Sequence, residues 1–368
     1  MQDIDVIDLF IKLLSHKSIT PDDGGLMDFI QEYLSDFKAY RFDRNGVKNL
    51  FLVKEFKKDG EHLCFAGHVD VVPPGDGWDS DPFVPKIDGD KIFARGAQDM
   101  KSGLAAFIAA CKDAKEFNGT LSILLTSDEE GDGIYGTKIV LEELQKLNLL
   151  PDYAIVAEPT CEEVFGDSIK VGRRGSINGV LELFGVQGHA AYPQKAVNVV
   201  NLIAPILPKI AGFNLDDGDE YFAPSQFVIT DIRAGLEVTN VTPGYLKMMF
   251  NVRNSTKTTK EDIKNFIDKH FKGLNYKLTL NQSAKPFVTN KDSKIVKLLQ
   301  KSIKNIAKIE PKLSTAGGTS DARFFGEYKI DTVELGVVND TIHAPNEFTT
   351  IPQVKKLYEI FKKSISEF

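Results

Sequence analysis

The run Leu63-Cys64-Phe65-Ala66-Gly67-His68-Val69-Asp70-Val71-Val72-Pro73-Pro74-Gly75 decides the fold class. Its first four residues are apolar without alternation, which predicts a strand buried on both faces. A Pro-Pro-Gly turn closes the run. Similar apolar runs stand at Leu50–Val53, Leu121–Thr126 and Ala154–Ala157. Apolar residues at helical spacing lie between some of them, at Gly103–Ala114 and Thr137–Leu147. Two further helices are expected nearer the start, Ile4–Leu14 and Leu26–Phe37. Buried strands alternating with helices predict an α/β domain with a mixed, largely parallel sheet.

The texture changes near Arg174. Gly175–Phe184 reads as a strand, Ala196–Ile210 as a helix, and Ser225–Arg233 and Tyr245–Asn254 as strands. Glu261–Phe271 reads as a helix opened by Thr258 or Thr259, and Leu274–Leu280 as a last strand. That β-α-β-β-α-β order predicts a ferredoxin-like α+β unit. After Pro286 the alternation resumes, with Ser293–Ala307, Asp321–Gly326, Thr332–Gly336 and a closing helix from Pro352. One α/β domain, residues 1–173 and 287–368, is thus expected to be interrupted by a smaller one, 174–286.

The chain has 368 residues, 42% hydrophobic and 26% charged, so it can build two cores and is not disordered. A net charge of -7 argues against a broad nucleic-acid-binding face, although a few arginines can still make a local anion site. Three cysteines, Cys64, Cys111 and Cys161, suggest a reducing compartment rather than a disulfide framework. The start is acidic, unlike a secretory signal. No apolar run reaches the ~18 residues of a membrane helix; the nearest, Val199–Phe213, is broken by Pro205, Pro208 and Lys209. The expectation is a cytoplasmic protein with neither a nucleic-acid nor a membrane partner.

Five stretches carry candidate chemistry. His68 and Asp70 share one face of a strand end, so a carboxylate could hold the imidazole while its other nitrogen meets a metal; alone, the pair also fits a plain strand-end polar contact. Asp99 precedes an Ala-rich helix, where it could cap the helix or bridge two cations. Ser127-Asp128-Glu129-Glu130-Gly131 crowds carboxylates at a strand end, which is either a solvated turn or a ligand beside a general base. Glu158 ends another buried run, and His343 lies in the polar loop Asn339–Glu347. Together His68, Asp99, Glu130, Glu158 and His343 fall at element ends, where α/β sheets build sites. Imidazole plus carboxylate without thiolate suits zinc. Two ions sharing a carboxylate would suit amide hydrolysis.

Taken in order, His-x-Asp with Pro-Pro-Gly-Asp, Arg-Gly-Ala-x-Asp-Met-Lys, Ser-Asp-Glu-Glu-Gly, Glu-Pro-Thr and the C-terminal His loop resemble the dinuclear-zinc aminoacylase/carboxypeptidase (M20-like) peptidase family. The resemblance spans the whole chain. The one small departure is Ala94, where the family often has Gly. Val171–Ser176, Gly185–Pro193, Gly317–Phe324 and Val333–Gly336 point within the family to members that release succinate from an N-succinyl diaminopimelate. An acetylornithine-type deacylase or a carboxypeptidase is the alternative.

The resemblance implies two zinc ions per subunit, with cobalt also suited. His68, Asp99 and Glu158 would hold one, and Asp99, Glu130 and His343 the other. Glu129 would be the general base, Asp70 would orient His68, and a cis peptide would follow Asp99. The inserted domain would make a homodimer and supply His189 to the oxyanion in the partner's site. Arg173, Arg174, Tyr192, Asn240, Arg253, Gly318, Thr319 and Asn339 would contact substrate. Bidentate arginines suit its carboxylates. An intact Glu129 beside all five ligands argues against an inactive binding protein.

Overall fold

The computed structural model describes residues 5–368, so the expected helix start at Ile4 lies outside them. The chain divides into two compact units. The first comprises the chain through Gly172 with Val288–Ser314 and Ser320–Phe368; the second comprises Arg173–Phe287 with Thr315–Thr319. Arg173, Phe287 and Thr315–Thr319 were expected in the first. Arg173 and the last segment go together: Arg173 Nη1 donates to the carbonyls of Ala316 and Gly318, each at 3.1 Å.

The first unit is built on an eight-stranded sheet. Its order is Lys38–Arg41, Asn49–Glu55, Gly119–Thr126, Glu61–His68, Tyr153–Val156, Asp331–Glu334, Ser168–Lys170, Lys312–Ser314. Glu61–His68 is central, buried from His62 onward, and parallel to both neighbours. The outer pairs Lys38–Arg41 with Asn49–Glu55 and Asn49–Glu55 with Gly119–Thr126 are antiparallel, so the sheet is mixed. The parallel register sets His68 opposite Thr126, Ala66 opposite Val156, and Val156 opposite Glu334. Whatever follows these residues therefore emerges at one sheet edge.

The helix Lys101–Asp113 is buried from its start through Cys111. Its Gly and Ala residues let it lie close: a Cβ on Gly103 would stand 2.2 Å from the Ala157 carbonyl oxygen. The helices Val6–Leu14 and Ile351–Glu367 pack beside it. Phe65 anchors this core between Phe107 and Phe361, with ring centroids 5.7 and 5.2 Å away. The helix expected over Leu26–Phe37 stops at Tyr33. A ribbon of Lys86–Asp88, Lys91–Phe93 and Phe348–Thr350 had no sequence expectation.

The second unit is a four-stranded antiparallel sheet in the order Phe227–Ala234, Tyr245–Val252, Ser176–Phe184, Tyr276–Ala284. That is the strand order of a split βαβ. Lys260–His270 begins with a capping box formed by Thr259 and Asp262. Ile263 and Ile267 pack with Leu181, Met248 and Phe250 in its core. The single helix expected over Ala196–Ile210 is instead two short ones, Val199–Ile203 and Leu207–Ile210. Pro205 has no N–H to continue the first, and Pro208 fits the opening turn of the second. Among the described residues no helix is long and apolar enough to cross a membrane.

Candidate metal centre

His68 ends the central strand, Glu129 and Glu130 follow its neighbour Gly119–Thr126, and Glu158 follows Tyr153–Val156. Two glycines let the chain close around Glu158. Besides Gly103, a Cβ on Gly336 would lie 2.2 Å from the Glu158 carbonyl oxygen. Asp99 sits two residues before the helix Lys101–Asp113, and the Asp99–Met100 peptide is cis. His343 comes from the loop ahead of Phe348–Thr350, with a left-handed φ of 60°.

These residues converge. Asp99 Oδ1 lies 3.1 Å from His68 Nε2, and its Oδ2 lies 3.4 Å from His343 Nε2. Glu158 Oε1 is 3.8 Å from His68 Nε2, and Glu130 Oε1 is 3.0 Å from His343 Nε2. The two triads, His68–Asp99–Glu158 and Asp99–Glu130–His343, thus share one carboxylate with an oxygen turned to each. Four tetrahedral ligands at zinc distances stand ~3.4 Å apart, and the observed separations bracket that value. A third grouping, His68–Glu129–Glu130, also has its donor atoms within 4.8 Å of one another.

The electrostatics also fit cations. Burial raises the pKa of Glu158, and Asp99 raises it further. Burial likewise pushes Glu129 well up, reinforced by Asp321, Asp99 and Glu130. Hydrogen bonds to Asp99 and Glu130 lift His343 to about 10. Burial works against the charged form of His68, but Asp99, Glu158 and Glu129 override it and raise its pKa. Asp99 itself is driven low by both imidazoles despite its burial. Crowded carboxylates that pull protons onto their histidines will favour divalent cations in the same place.

Asp70 acts differently from expectation. His68 Nδ1 meets the Asp70 main-chain oxygen at 2.8 Å, while the carboxylate Oδ1 stands 3.6 Å away. Asp70 Oδ2 instead accepts from the Glu130 N–H at 3.1 Å. One residue therefore orients His68 with its carbonyl and Glu130 with its carboxylate.

Asn339 belongs to the first unit, on the loop leading to His343, with its N–H on the Cys161 carbonyl at 3.1 Å. The remaining expected residues lie in the second unit. His189, Tyr192 and Asn240 gather there: the Ala190 N–H donates to the Asn240 carbonyl at 2.9 Å, and the Tyr192 N–H to that of His189 at 2.8 Å. His189 is exposed, and its Nδ1 accepts from the Ala191 N–H at 3.0 Å. Arg173 is buried against the Ala316–Gly318 turn, which carries exposed Gly318 and leads to Thr319. Arg174 and Arg253 adjoin the reciprocal backbone bonds of Gly175 and Asn254.

Lys101 is buried, with Nζ on the His16 carbonyl at 2.9 Å. Lys170 is buried on Glu162. Trp78 packs over the Arg95 guanidinium. Arg95, Gln98 and Glu347 were not singled out by sequence reasoning. The only signal for Glu347 was a charged residue directly before the apolar start of a strand.

The family model of "Peptidase family M20/M25/M40" matches residues 64–367, and the chain belongs to this family. A curated succinyl-diaminopimelate desuccinylase from a Nitratiruptor species is 66% identical over 99% of this chain and 100% of its own. Another from Nautilia profundicola is 65% identical, with the same coverage. Among solved structures, a Staphylococcus aureus tripeptidase superposes with a TM-score of 0.78 at 20% identity, covering 100% of this chain and 98% of that one. A Sulfolobus solfataricus M20 metallo-carboxypeptidase gives 0.74 at 19%, covering 98% of each chain. At those identities the likeness is one of fold.

Proposed function

We propose that the chain is a metal-dependent amidohydrolase. It hydrolyses N-succinyl-LL-2,6-diaminopimelate to succinate and LL-2,6-diaminopimelate, a step in bacterial lysine and cell-wall precursor synthesis. The chemistry rests on two donor triads sharing Asp99, with the Glu129 carboxylate beside them and outside both. The substrate rests on relatives of that name that are 62–66% identical over nearly the whole chain.

His68, Asp99 and Glu158 would hold one zinc, and Asp99, Glu130 and His343 the other; cobalt suits the same donors. Such ions, when bound, polarise a carbonyl and acidify water. Glu129, its proton affinity raised by burial and acidic neighbours, takes the proton from water as the oxygen bonds to the amide carbon. It returns that proton to the amine nitrogen as the C–N bond breaks. In the partner's site His189, whose Nδ1 accepts from the Ala191 N–H, would donate from Nε2–H to the oxyanion. Arg173 and Arg253 take substrate carboxylates, with Arg174, Tyr192, Asn240, Gly318, Thr319 and Asn339 as further contacts.

The chain acts as a cytoplasmic homodimer. In support, Phe227–Ala234 is an edge strand bearing exposed Val228 and Ile232, with exposed Leu236 just beyond.

The test incubates purified protein with N-succinyl-LL-diaminopimelate and, separately, N-acetylornithine, each with added zinc or with chelator. Released acid is followed by mass spectrometry. Metal-dependent succinate release alone is expected. Acetate release instead would keep the metal chemistry and overturn the substrate.

A further inference from the structure

Glu347 is fully buried, and both of its oxygens are saturated. Oε1 accepts from the N–H groups of Gln98 and Asp99 at 2.7 and 3.1 Å. Oε2 accepts from the Gly96 N–H at 3.0 Å and from Arg95 Nη1 at 2.7 Å. One side chain thus gathers three main-chain donors of the loop ending at Asp99, including that of Asp99 itself. The Glu347 carbonyl adds a further tie, accepting from the Ala94 N–H at 3.1 Å.

Arg95 extends the hub in the other direction. Its guanidinium reaches the carbonyls of His343 and Ala344, each at 3.3 Å, and that of Pro74 at 3.1 Å. It therefore supports the main chain of His343 where that residue adopts its left-handed φ. Gln98 adds a parallel tie, donating to Asp340 Oδ1 at 2.5 Å and accepting from the Thr341 N–H at 2.8 Å. The loops of Asp99 and His343 are some 250 residues apart in the chain, and this buried network fastens them together.

We infer that Glu347, through Arg95 and the Asp99 loop, is a positioning residue that fixes the separation of Asp99 and His343 and so sets the affinity of the second metal site. The inference rests on the metal-centre reading above. Asp99 serves both sites and Asp70 holds both His68 and Glu130, so what singles out the second site is His343, whose carbonyl Arg95 grips while Glu347 fixes Arg95. Outer partners of metal ligands typically tune affinity by 10–100-fold.

The test is titration of metal-free protein with Co2+, read by visible absorption, for wild type, Glu347→Gln and Gln98→Ala. In Glu347→Gln the new amide NH2 would face Arg95 or main-chain N–H donors. The second equivalent should bind about 10–100-fold more weakly, and the first, which shares only Asp99 with it, should weaken less. The maximal rate should recover when Co2+ saturates, with KM unchanged. Gln98→Ala leaves the buried pair intact and should shift the second equivalent in the same direction by less, so the inference stays testable if Glu347→Gln does not fold. An unchanged second equivalent in a folded variant overturns the inference. So does a parallel loss of both equivalents and of melting temperature that saturating metal does not repair. Wild type failing to take two equivalents would instead overturn the metal-centre reading itself.

Discussion

Replacing Glu129 by Gln isolates the base from the ligands. The substitution keeps volume and removes only the ability to take a proton. Losing a positioned general base costs about 10²–10⁴ in rate, which is ~2.7–5.5 kcal/mol of barrier. The fall should appear equally in kcat and kcat/KM, because the proton moves only in the transition state. Metal content should stay at two per chain, since Glu129 is outside the two triads that share Asp99. Stability has a definite sign as well. Burial and the charges of Asp321, Asp99 and Glu130 raise the Glu129 pKa, so its ionised form opposes folding at neutral pH. The metal-free variant should therefore melt no lower than metal-free wild type. Steady-state kinetics, elemental analysis and calorimetry on one preparation read all three quantities. Loss of one metal equivalent together with activity would refute the assignment and favour the His68–Glu129–Glu130 grouping. A rate within about tenfold of wild type would remove Glu129 as the base.

His189→Ala should lower kcat far more than it raises KM, because its Nε2–H is spent on the oxyanion; a change confined to KM in steady-state kinetics would refute that role. Burial holds His62 down at about 4 in the folded chain against 6.5 when free, so stability is lost as pH falls from 6.5 through 4, by about 3 kcal/mol when complete. His62→Gln should flatten that part of the melting-temperature profile, and an unchanged acid slope would count against it. Gly103→Ala should destabilise by ~1–3 kcal/mol in chemical denaturation, since its Cβ would strike the Ala157 carbonyl, whereas an open helical site would gain stability. A variant as stable as wild type would show that the helix can move away from Ala157 at no cost.

Much of the site was legible because its residues terminate strong local patterns. His68, Glu129 and Glu158 each follow an apolar run, and the parallel register brings those run ends to one edge. Periodicity also exposed the order of the inserted unit, because its core positions alternate strictly, as in the burial of Tyr245–Val252. It misread Ala196–Ile210 because apolar spacing continues across Pro205 although the hydrogen-bond ladder cannot.

The illegible part has a common physical character. Asp70 was expected to hold His68 by its carboxylate, yet the main-chain oxygen does so and the carboxylate serves Glu130. Glu347 grips N–H groups that every non-proline residue possesses, so no side-chain pattern marks its partners. Its ionic partner Arg95 lies 252 positions away. Sequence patterns reveal donors that converge on an ion because the ion restricts their chemical type. They are silent about groups that hold the backbone, because the backbone presents the same donors everywhere. Tolerance to substitution should divide along that line. His343 can be exchanged only for another ligand, whereas Glu347 can be exchanged only for a group that accepts from the same four donors at once.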